Sequence, residues 1–373
     1  MGVHPGRTGT LAVVSMDIRR DLIAPMHRFE QLRIRHFFRR APYNDLRSSD
    51  WDESLIPFKG PLDLLRLLRR EKPDILQTVE ILSLGQLPYT AAIFFYAVLR
   101  RIPLVAGVHV ARPLEEKYGR VPARLLRALL QPVVRRTRLF FHVNEGASKN
   151  LEWMGVPASK TVRHMYGTWG VDPKEFSPER DGREPAWGEG TVVLFVGRVH
   201  RQKGIFDLLE AFQQVYRKNS RAILAILGDG PHRAEARRRA LSRLPERAVR
   251  FLGTIPHGDL PPYFRSAAVL ASPSRTTRGW EEYVGMTNLQ AMACAIPVVS
   301  TRSGAIPEFV PHGEAGILVE EGDVPGLASA LLDLLEDEDL RRRMGAAGRA
   351  RVLDRYDAGE NVRRAERIIL ERC

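Results

Sequence analysis

The chain has 373 residues, 44 % of them hydrophobic and 27 % charged, which is a soluble globular composition long enough for two ordinary domains and excludes collagen, mucin-like stalks and wholesale disorder. Its longest apolar run, residues 91–99, stops at Arg100 and Arg101, well short of the roughly 20 residues a membrane-spanning helix needs. The net charge of +13 is uneven: residues 1–180 hold 29 Lys+Arg against 18 Asp+Glu, and residues 181–373 hold 28 against 26, which excludes a uniformly basic chain.

The first half therefore either meets something anionic (phospholipid, nucleic acid or a phosphorylated substrate) or reflects a compositional bias in which Arg outnumbers Lys 49 to 8. Two cysteines, Cys294 and Cys373, without a CxxC pair exclude a disulfide scaffold and cysteine-bound zinc, and fit a reducing cytoplasm. No secretory signal leads the chain, and Gly6 stands where a myristoylation signal needs Ser or Thr.

In chain order, residues 10–17 read as a strand and residues 102–108 as a buried strand running into His109. Residues 121–138 form a helical pattern, interrupted by Pro132, in which Arg120, Arg124, Arg127 and Arg135 flank Leu125, Leu126, Leu129 and Leu130. Such a pattern suits either a solvated face or an anionic membrane surface. A strand at 139–143 follows. Residues 172–190, with three Pro, three Gly and many charges, read as a linker. Strands at 191–196, 222–227, 249–252, 268–271 and 297–300 then alternate with helical stretches such as 204–219 and 231–244. Near-continuous apolar strands separated by helices predict parallel sheets covered on both faces, the doubly wound α/β class. Two such domains joined at the linker would face each other across a cleft, and ligands in such sheets sit at the carboxyl ends of the strands.

The second half carries the chemistry. Strand 191–196 ends in Gly197 and Arg198, and Lys203-Gly204 precedes a helix. A strand–loop–helix junction with a glycine and two cations suits an anion. Gly228-Asp-Gly-Pro231 and Phe251-Leu-Gly-Thr-Ile255 close two further strands. Glu282 precedes Gly285 and a helix opening near Met286, and Gln290 follows Glu282 by eight residues. Glu282 can accept hydrogen bonds from sugar hydroxyls, the N–H groups of Met286 and Thr287 can hold a diphosphate, and Gln290 can reach a ribose. Asp50-Trp-Asp52 and Asp337-Glu-Asp339 read as solvated charges rather than a metal site.

This order resembles the family-four retaining glycosyltransferases, also called group 1 glycosyl transferases, which have the GT-B fold of two Rossmann-like domains. The matching pieces are Gly197-Arg198 with Lys203-Gly204, Gly228-Asp-Gly-Pro231, Phe251-Leu-Gly253, the E-x7-E region, Met292-Ala-Cys with Pro297-Val-Val, Ser303-Gly-Ala-Ile-Pro-Glu308, residues 313–319, and Met344-Gly with Gly348-Arg349. The likeness is strong over residues 190–355 and moderate over 70–180. It implies that Arg198 and Lys203 bind a diphosphate, that Glu282 contacts the donor sugar, that Gln290 takes the ribose-binding place of a second Glu, and that main-chain groups near Ile255 touch the base. It also implies that His109 acts beside the donor sugar. Asn144-Glu145-Gly-Ala-Ser148 and Tyr166-Gly-Thr-Trp-Gly-Val-Asp172 resemble further family turns, with Trp169 where Asn is usual.

Three departures stand out. Gln290 is not an acid, so altered nucleotide binding is expected. Ala295 stands where a helix-ending Gly is usual, at a cost of about 1 kcal/mol if the site needs positive φ. Residues 10–17 read better as the family's second strand, so the usual first strand–helix unit is expected to be missing. The expected domains are residues 1–172, 173–355, and a C-terminal helix at 356–373 packing back toward the first.

The expected activity is transfer of a hexose from a UDP- or GDP-linked donor to a hydroxyl of a lipid-linked or cell-envelope glycan, with retention and without metal or cofactor. The expected place is cytoplasmic, peripheral on the inner face of the membrane, with an anionic surface met through the basic half. Nucleic acid is not an expected partner, since no recognition motif or aromatic-basic platform is present. A catalytically impaired sugar-nucleotide binder and a sugar-nucleotide epimerase are the alternatives.

Overall fold

The computed structural model describes residues 9–41, 46 and 51–373. They form two compact units. The first runs to Trp169 and includes Ala358–Cys373; the second is the continuous stretch Gly170–Asp357.

In the first unit the described strands are β1 (Gly9–Asp17), β2 (Leu32–Arg40), β3 (Leu55–Pro57), β4 (Ile75–Gln77), β5 (Leu104–Val108), β6 (Thr137–His142) and β7 (Thr161–Arg163). They pair in the order β3-β2-β1-β4-β5-β6-β7, every neighbour parallel. Parallel neighbours require crossovers, and these fill both faces of the sheet. On one face lie the helices Pro61–Glu71, Leu87–Arg100 and Arg120–Arg136, whose Leu64, Ile93 and Leu126 belong to cores with Leu104, Ala106 and Val108 of β5. On the other lies the C-terminal helix Ala358–Arg372, whose Val362, Ala365 and Ile369 pack on Leu11, Val13 and Val105.

Of the first strand–helix unit expected to be missing, the strand is present and the long helix is not. Strand β1 occupies the central position that a first strand takes in a doubly wound sheet, with β2 and β4 on its two sides. What differs is the connection after it: Arg20–Ile23 and a 3-10 turn at Ala24–Arg28 replace a long helix. The uncovered face is closed by the C-terminal helix, whose Glu366 carboxylate accepts the backbone N–H groups of Glu30, Gln31 and Leu32 at 3.0, 2.8 and 2.7 Å. Trp169, fully buried at φ +56, fills the same space, edge-on to Phe29 and Tyr166, and its Nε1–H donates to Leu22 O at 2.9 Å.

In the second unit β8 (Thr191–Val196), β9 (Ala222–Leu227), β10 (Val249–Gly253), β11 (Val269–Ser272), β12 (Val298–Thr301) and β13 (Gly316–Val319) pair in the order β10-β9-β8-β11-β12-β13, again parallel. The order reverses between β8 and β11, so the crevice at their carboxyl ends is the switch point where such sheets take ligands.

Residues 172–190 are not a free linker. Arg265, itself buried, pairs with Asp181 at 2.6 Å and Glu184 at 2.7 Å, and Trp187 Nε1–H donates to Ser266 Oγ at 2.9 Å. Arg349 donates to Phe176 O and Ala293 O at 2.8 and 2.6 Å. The stretch is a strap bound to the second unit. Its Pro, Gly and charge content reads as a linker because the groups that hold it are distant in sequence.

Of the two Asp-x-Asp strings, Asp50 lies outside the described residues. Asp52 accepts Ser54 N–H at 2.7 Å, and Asp337 caps the helix Glu338–Arg355 through Leu340 N–H at 2.7 Å. Among the described residues no cluster of three metal-ligating side chains is assembled.

Candidate active site

At the end of β8 the chain passes through Gly197 and Arg198 into a 3-10 turn, Arg201–Lys203, before the helix Ile205–Lys218 begins. His200 caps the turn: its Nδ1 accepts Gln202 N–H at 3.2 Å. Acceptance requires a ring nitrogen without a proton, and burial, aided by Arg198, His232 and Arg201, holds the His200 pKa below its usual value. The turn aims Lys203 inward and leaves Arg198 exposed, with Gln202 Oε1 3.4 Å from its Nη2.

Lys203 Nζ forms an ion pair with Glu282 Oε1, and Ser274 Oγ–H donates to the same oxygen at 3.0 Å. Lys203 Nζ also lies 4.8 Å from the Trp280 ring centroid, a cation–π distance. Both charged side chains are partly buried, at 27 % and 13 % exposure, where mutual attraction outweighs that of a surface pair. Glu282 is set by its backbone: its carbonyl accepts Ala305 N–H at 2.9 Å, and a Cβ on Gly304 would stand 2.3 Å from that oxygen. The motif Ser303-Gly-Ala therefore serves to seat Glu282.

Three residues after Glu282, Gly285 at φ +77 opens the helix Met286–Ala293, whose first turn carries no side-chain cap. The half-buried Met286 and Thr287 bring two leading amides to this end, where helix geometry offers N–H groups and partial positive charge. Gly228 follows β9, and a Cβ on it would stand 2.0 Å from Gly197 O, so the two strand ends touch through glycine. Ile255 is half-buried in the loop after β10.

Gln290, the residue expected to reach a ribose, is buried. It is 4 % exposed, and its Nε2 is 3.0 Å from His257 Nε2. His257 Nδ1 lies 3.9 Å from Glu175 Oε1, and Phe176 meets its ring edge-on. An amide that donates to Nε2 fixes the proton of a neutral ring on Nδ1, toward Glu175.

His109, in the first unit, follows β5. Its backbone N–H donates to Glu80 Oε2 at 2.8 Å, its Nδ1 faces the same oxygen at 3.4 Å, and its Nε2 lies 3.1 Å from Tyr166 O. Asn144 Nδ2–H donates to His109 O at 2.9 Å while Asn144 Oδ1 caps the helix Glu145–Trp153. Both ring nitrogens thus face oxygen acceptors.

In the second unit the structure brings Gly197, Lys203, Glu282 and the start of the Met286 helix to the switch point. Sequence reasoning missed Ser274, Trp280, His257 and Glu80. Ser274 and Glu80 each follow a strand end, and Glu80 was hidden because β4 is only three residues long.

Comparison with known proteins fits this geometry. Residues 178–351 match the family of glycosyl transferases group 1, and residues 13–167 match the glycosyl transferase 4-like domain. A GDP-mannose-dependent alpha-(1-6)-phosphatidylinositol monomannoside mannosyltransferase of Mycolicibacterium smegmatis is 36 % identical over 194 residues, covering 50 % of this chain and 51 % of the relative. A D-inositol 3-phosphate glycosyltransferase of Corynebacterium jeikeium is 35 % identical over 190 residues, 47 % of this chain and 44 % of that one. The chain thus spans about half the length of the curated relatives it matches. The crystal structure of Anabaena Alr3699/HepE in complex with UDP and glucose superposes with a TM-score of 0.75 at 16 % identity, over 96 % of this chain and 98 % of that one. The fold is therefore GT-B, with two parallel-sheet α/β domains. With a 4-like domain followed by a group 1 domain, the chain belongs to the group 1 glycosyl transferases.

Proposed function

We propose that the protein is a retaining glycosyltransferase that moves a hexosyl group from a nucleotide-diphosphate sugar to a hydroxyl of a lipid-linked or cell-envelope glycan. The observation that carries this reading is the Lys203–Glu282 ion pair beside the uncapped helix start at Gly285. The bond from the anomeric carbon to the phosphate oxygen breaks, and its electron pair leaves with the diphosphate. The acceptor oxygen bonds to the same carbon on the same face, and its proton passes to the departing phosphate. Lys203, Arg198 and the amides of Met286 and Thr287 meet the growing phosphate charge with groups already in place. Glu282, held by Ser274 and Lys203, accepts hydroxyls of the donor sugar, and His109, held by Glu80, is the residue proposed to orient that sugar. Gly197, Gly228 and Ile255 line the donor path.

The mannosyltransferase relative is named for GDP-mannose and a phosphatidylinositol mannoside, and the Anabaena structure holds UDP and glucose. These support a hexose donor and a lipid-linked acceptor. The excess of positive charge in residues 1–180 supports meeting that acceptor at the inner face of a membrane; no helix among the described residues is long and apolar enough to cross one. The domains proposed for the two tasks are residues 1–172 for the acceptor and 173–355 for the donor, with 356–373 returning to the first.

A thermal-shift series with GDP-mannose, UDP-glucose and the free diphosphates tests the donor reading, since a ligand bound only by the folded state raises the melting temperature. Stabilisation by one nucleotide sugar, followed by its turnover with a lipid-linked acceptor, is the expected result. Stabilisation with neither transfer nor hydrolysis would instead identify a sugar-nucleotide binder, a reading favoured by the buried Gln290–His257 contact.

A further inference from the structure

We propose that the helices Leu87–Arg100 and Arg120–Arg136 form one docking face for an anionic lipid bilayer. The proposal rests on the glycosyltransferase reading only for its purpose, delivery of a lipid-linked acceptor; the contact itself follows from the two helices.

Both helices cover the same face of the first sheet. Leu104, Ala106 and Val108 of β5 point to that face, and they share cores with Ile93 and Ala97 of the first helix and with Leu126 and Leu130 of the second. The helices connect β4 to β5 and β5 to β6, which are neighbours in the sheet. With their inner sides buried, each still carries an apolar row on its outer side. Phe95 and Leu99 stand one turn apart on one helix, and Val121, Leu125 and Leu129 stand at successive turns of the other. All five are 63–74 % exposed. Isolated exposed leucines need no explanation, but two such rows on helices of one layer do.

The charge beside these rows has one sign. Neither helix contains an Asp or Glu. Arg100 and Arg101 end the first helix, and Arg120, Arg124 and Arg127 run beside the row on the second. Arg124 has Glu115 3.3 Å away on the preceding short helix, and Arg127 stacks over Trp153 at 5.1 Å. Guanidinium groups around projecting Phe, Leu and Val match a surface of anionic headgroups over acyl chains. A second copy of the chain fits this face poorly, because a two-fold contact would set arginines against arginines without an acid on either helix. A nucleic acid would gain no stacking from Val121, Leu125 and Leu129.

The test is co-sedimentation of the full chain, without donor or acceptor, on vesicles of phosphatidylcholine alone and of phosphatidylcholine with phosphatidylglycerol. The expected result is binding to the anionic vesicles, weakened by salt. Leu125→Ser with Leu129→Ser should lower partition by about tenfold, and Arg124→Gln with Arg127→Gln by about 10–30-fold. Leu353→Ser, at an exposed leucine of the second unit, should leave it unchanged. Circular dichroism confirms that each variant is folded. Absence of binding, equal binding to neutral vesicles, or full partition of either double variant would overturn the proposal. So would self-association of the wild-type chain that the leucine variant abolishes while vesicle binding persists. Because no sugar is present, failure here leaves the transfer reading standing, and failure of transfer leaves the docking result standing.

Discussion

Gln290 Nε2 lies 3.0 Å from His257 Nε2, joining the helix after Gly285 to the loop after β10. The contact ties a proposed ribose-binding residue to the loop that carries Ile255. Gln290→Glu replaces a neutral acceptor with a charged one, worth about 1 kcal/mol more to a hydroxyl donor. We expect nucleotide binding about fivefold tighter, read by calorimetry with the diphosphate that stabilises the wild type. Unchanged or weaker binding would show that the side chain serves His257 and not a ribose.

Lys203 and Glu282 should separate binding from chemistry. Lys203→Ala removes a cation and leaves Glu282 facing the diphosphate, so nucleotide affinity should fall about 10–100-fold. Glu282→Ala frees Lys203, so affinity should hold while transfer falls about 100-fold, the pattern of a group used mainly in the transition state. Equal loss of both properties in Glu282→Ala would remove its assignment to the sugar.

Glu80 is a positioning residue for His109 in the proposed reaction. Its carboxylate accepts the His109 N–H and lies 3.4 Å from Nδ1. Glu80→Gln keeps the shape and removes the charge. Transfer kcat should fall about tenfold while the donor KM holds, the split expected when a neighbour of the reacting groups is displaced. An unchanged kcat with a lowered melting temperature would reduce Glu80 to a backbone cap.

Acid should weaken the first unit. Burial pushes the His164 pKa down from 6.5 to about 4, with Arg364 adding to the effect, and pushes His36 down to about 3. Both rings are neutral when folded and charge on unfolding below pH 6.5, so the unfolded chain binds more protons. Stability is therefore fully present above about pH 6.5 and falls as pH drops through about 4 and then 3, by about 1.4 kcal/mol per pH unit for each ring. Urea midpoints at pH 7 and pH 5 should show the loss. His164→Leu should shrink it, because neither ring nitrogen has a hydrogen-bond partner among the described residues.

Ala295 ends the helix Met286–Ala293 at φ +57, with Ile296 N–H donating to Ala291 O at 2.9 Å and Ala295 N–H to Met292 O at 3.0 Å. This closing geometry favours glycine. Ala295→Gly relieves about 1 kcal/mol of strain and returns part of it as chain entropy in the unfolded state. The expected net gain is about 0.5 kcal/mol, a rise of about 1 °C in the melting temperature. A fall would mean that the strain is already relaxed.

The second unit was largely legible in sequence. Strands 191–196 and 222–227 are where the apolar runs place them, because both are buried on both faces and bounded by Gly or polar turns. The loops that follow carry their chemistry within a few residues of a strand end. The first unit was less legible. Strand β2 reads Leu-Arg-Ile-Arg-His-Phe-Phe-Arg-Arg and hides its buried Leu32, Ile34 and Phe37 among arginines. Strands β3, β4 and β7 have three residues each, too few for a period. The placement of residues 10–17 went wrong because a central strand and its neighbour look alike without the sheet order. The contacts Gln290–His257 and His109–Glu80 span 33 and 29 residues, beyond what any local spacing reveals.

The return of Ala358–Arg372 to the first sheet has a consequence for biosynthesis. On the ribosome, the segment up to Trp169 is made first, yet one side of its sheet stays only partly covered until Ala358–Arg372 emerges. Gly170–Asp357 is continuous and waits for no later segment. The half made earliest is therefore completed last, and a stop codon before Ala358 would injure that half.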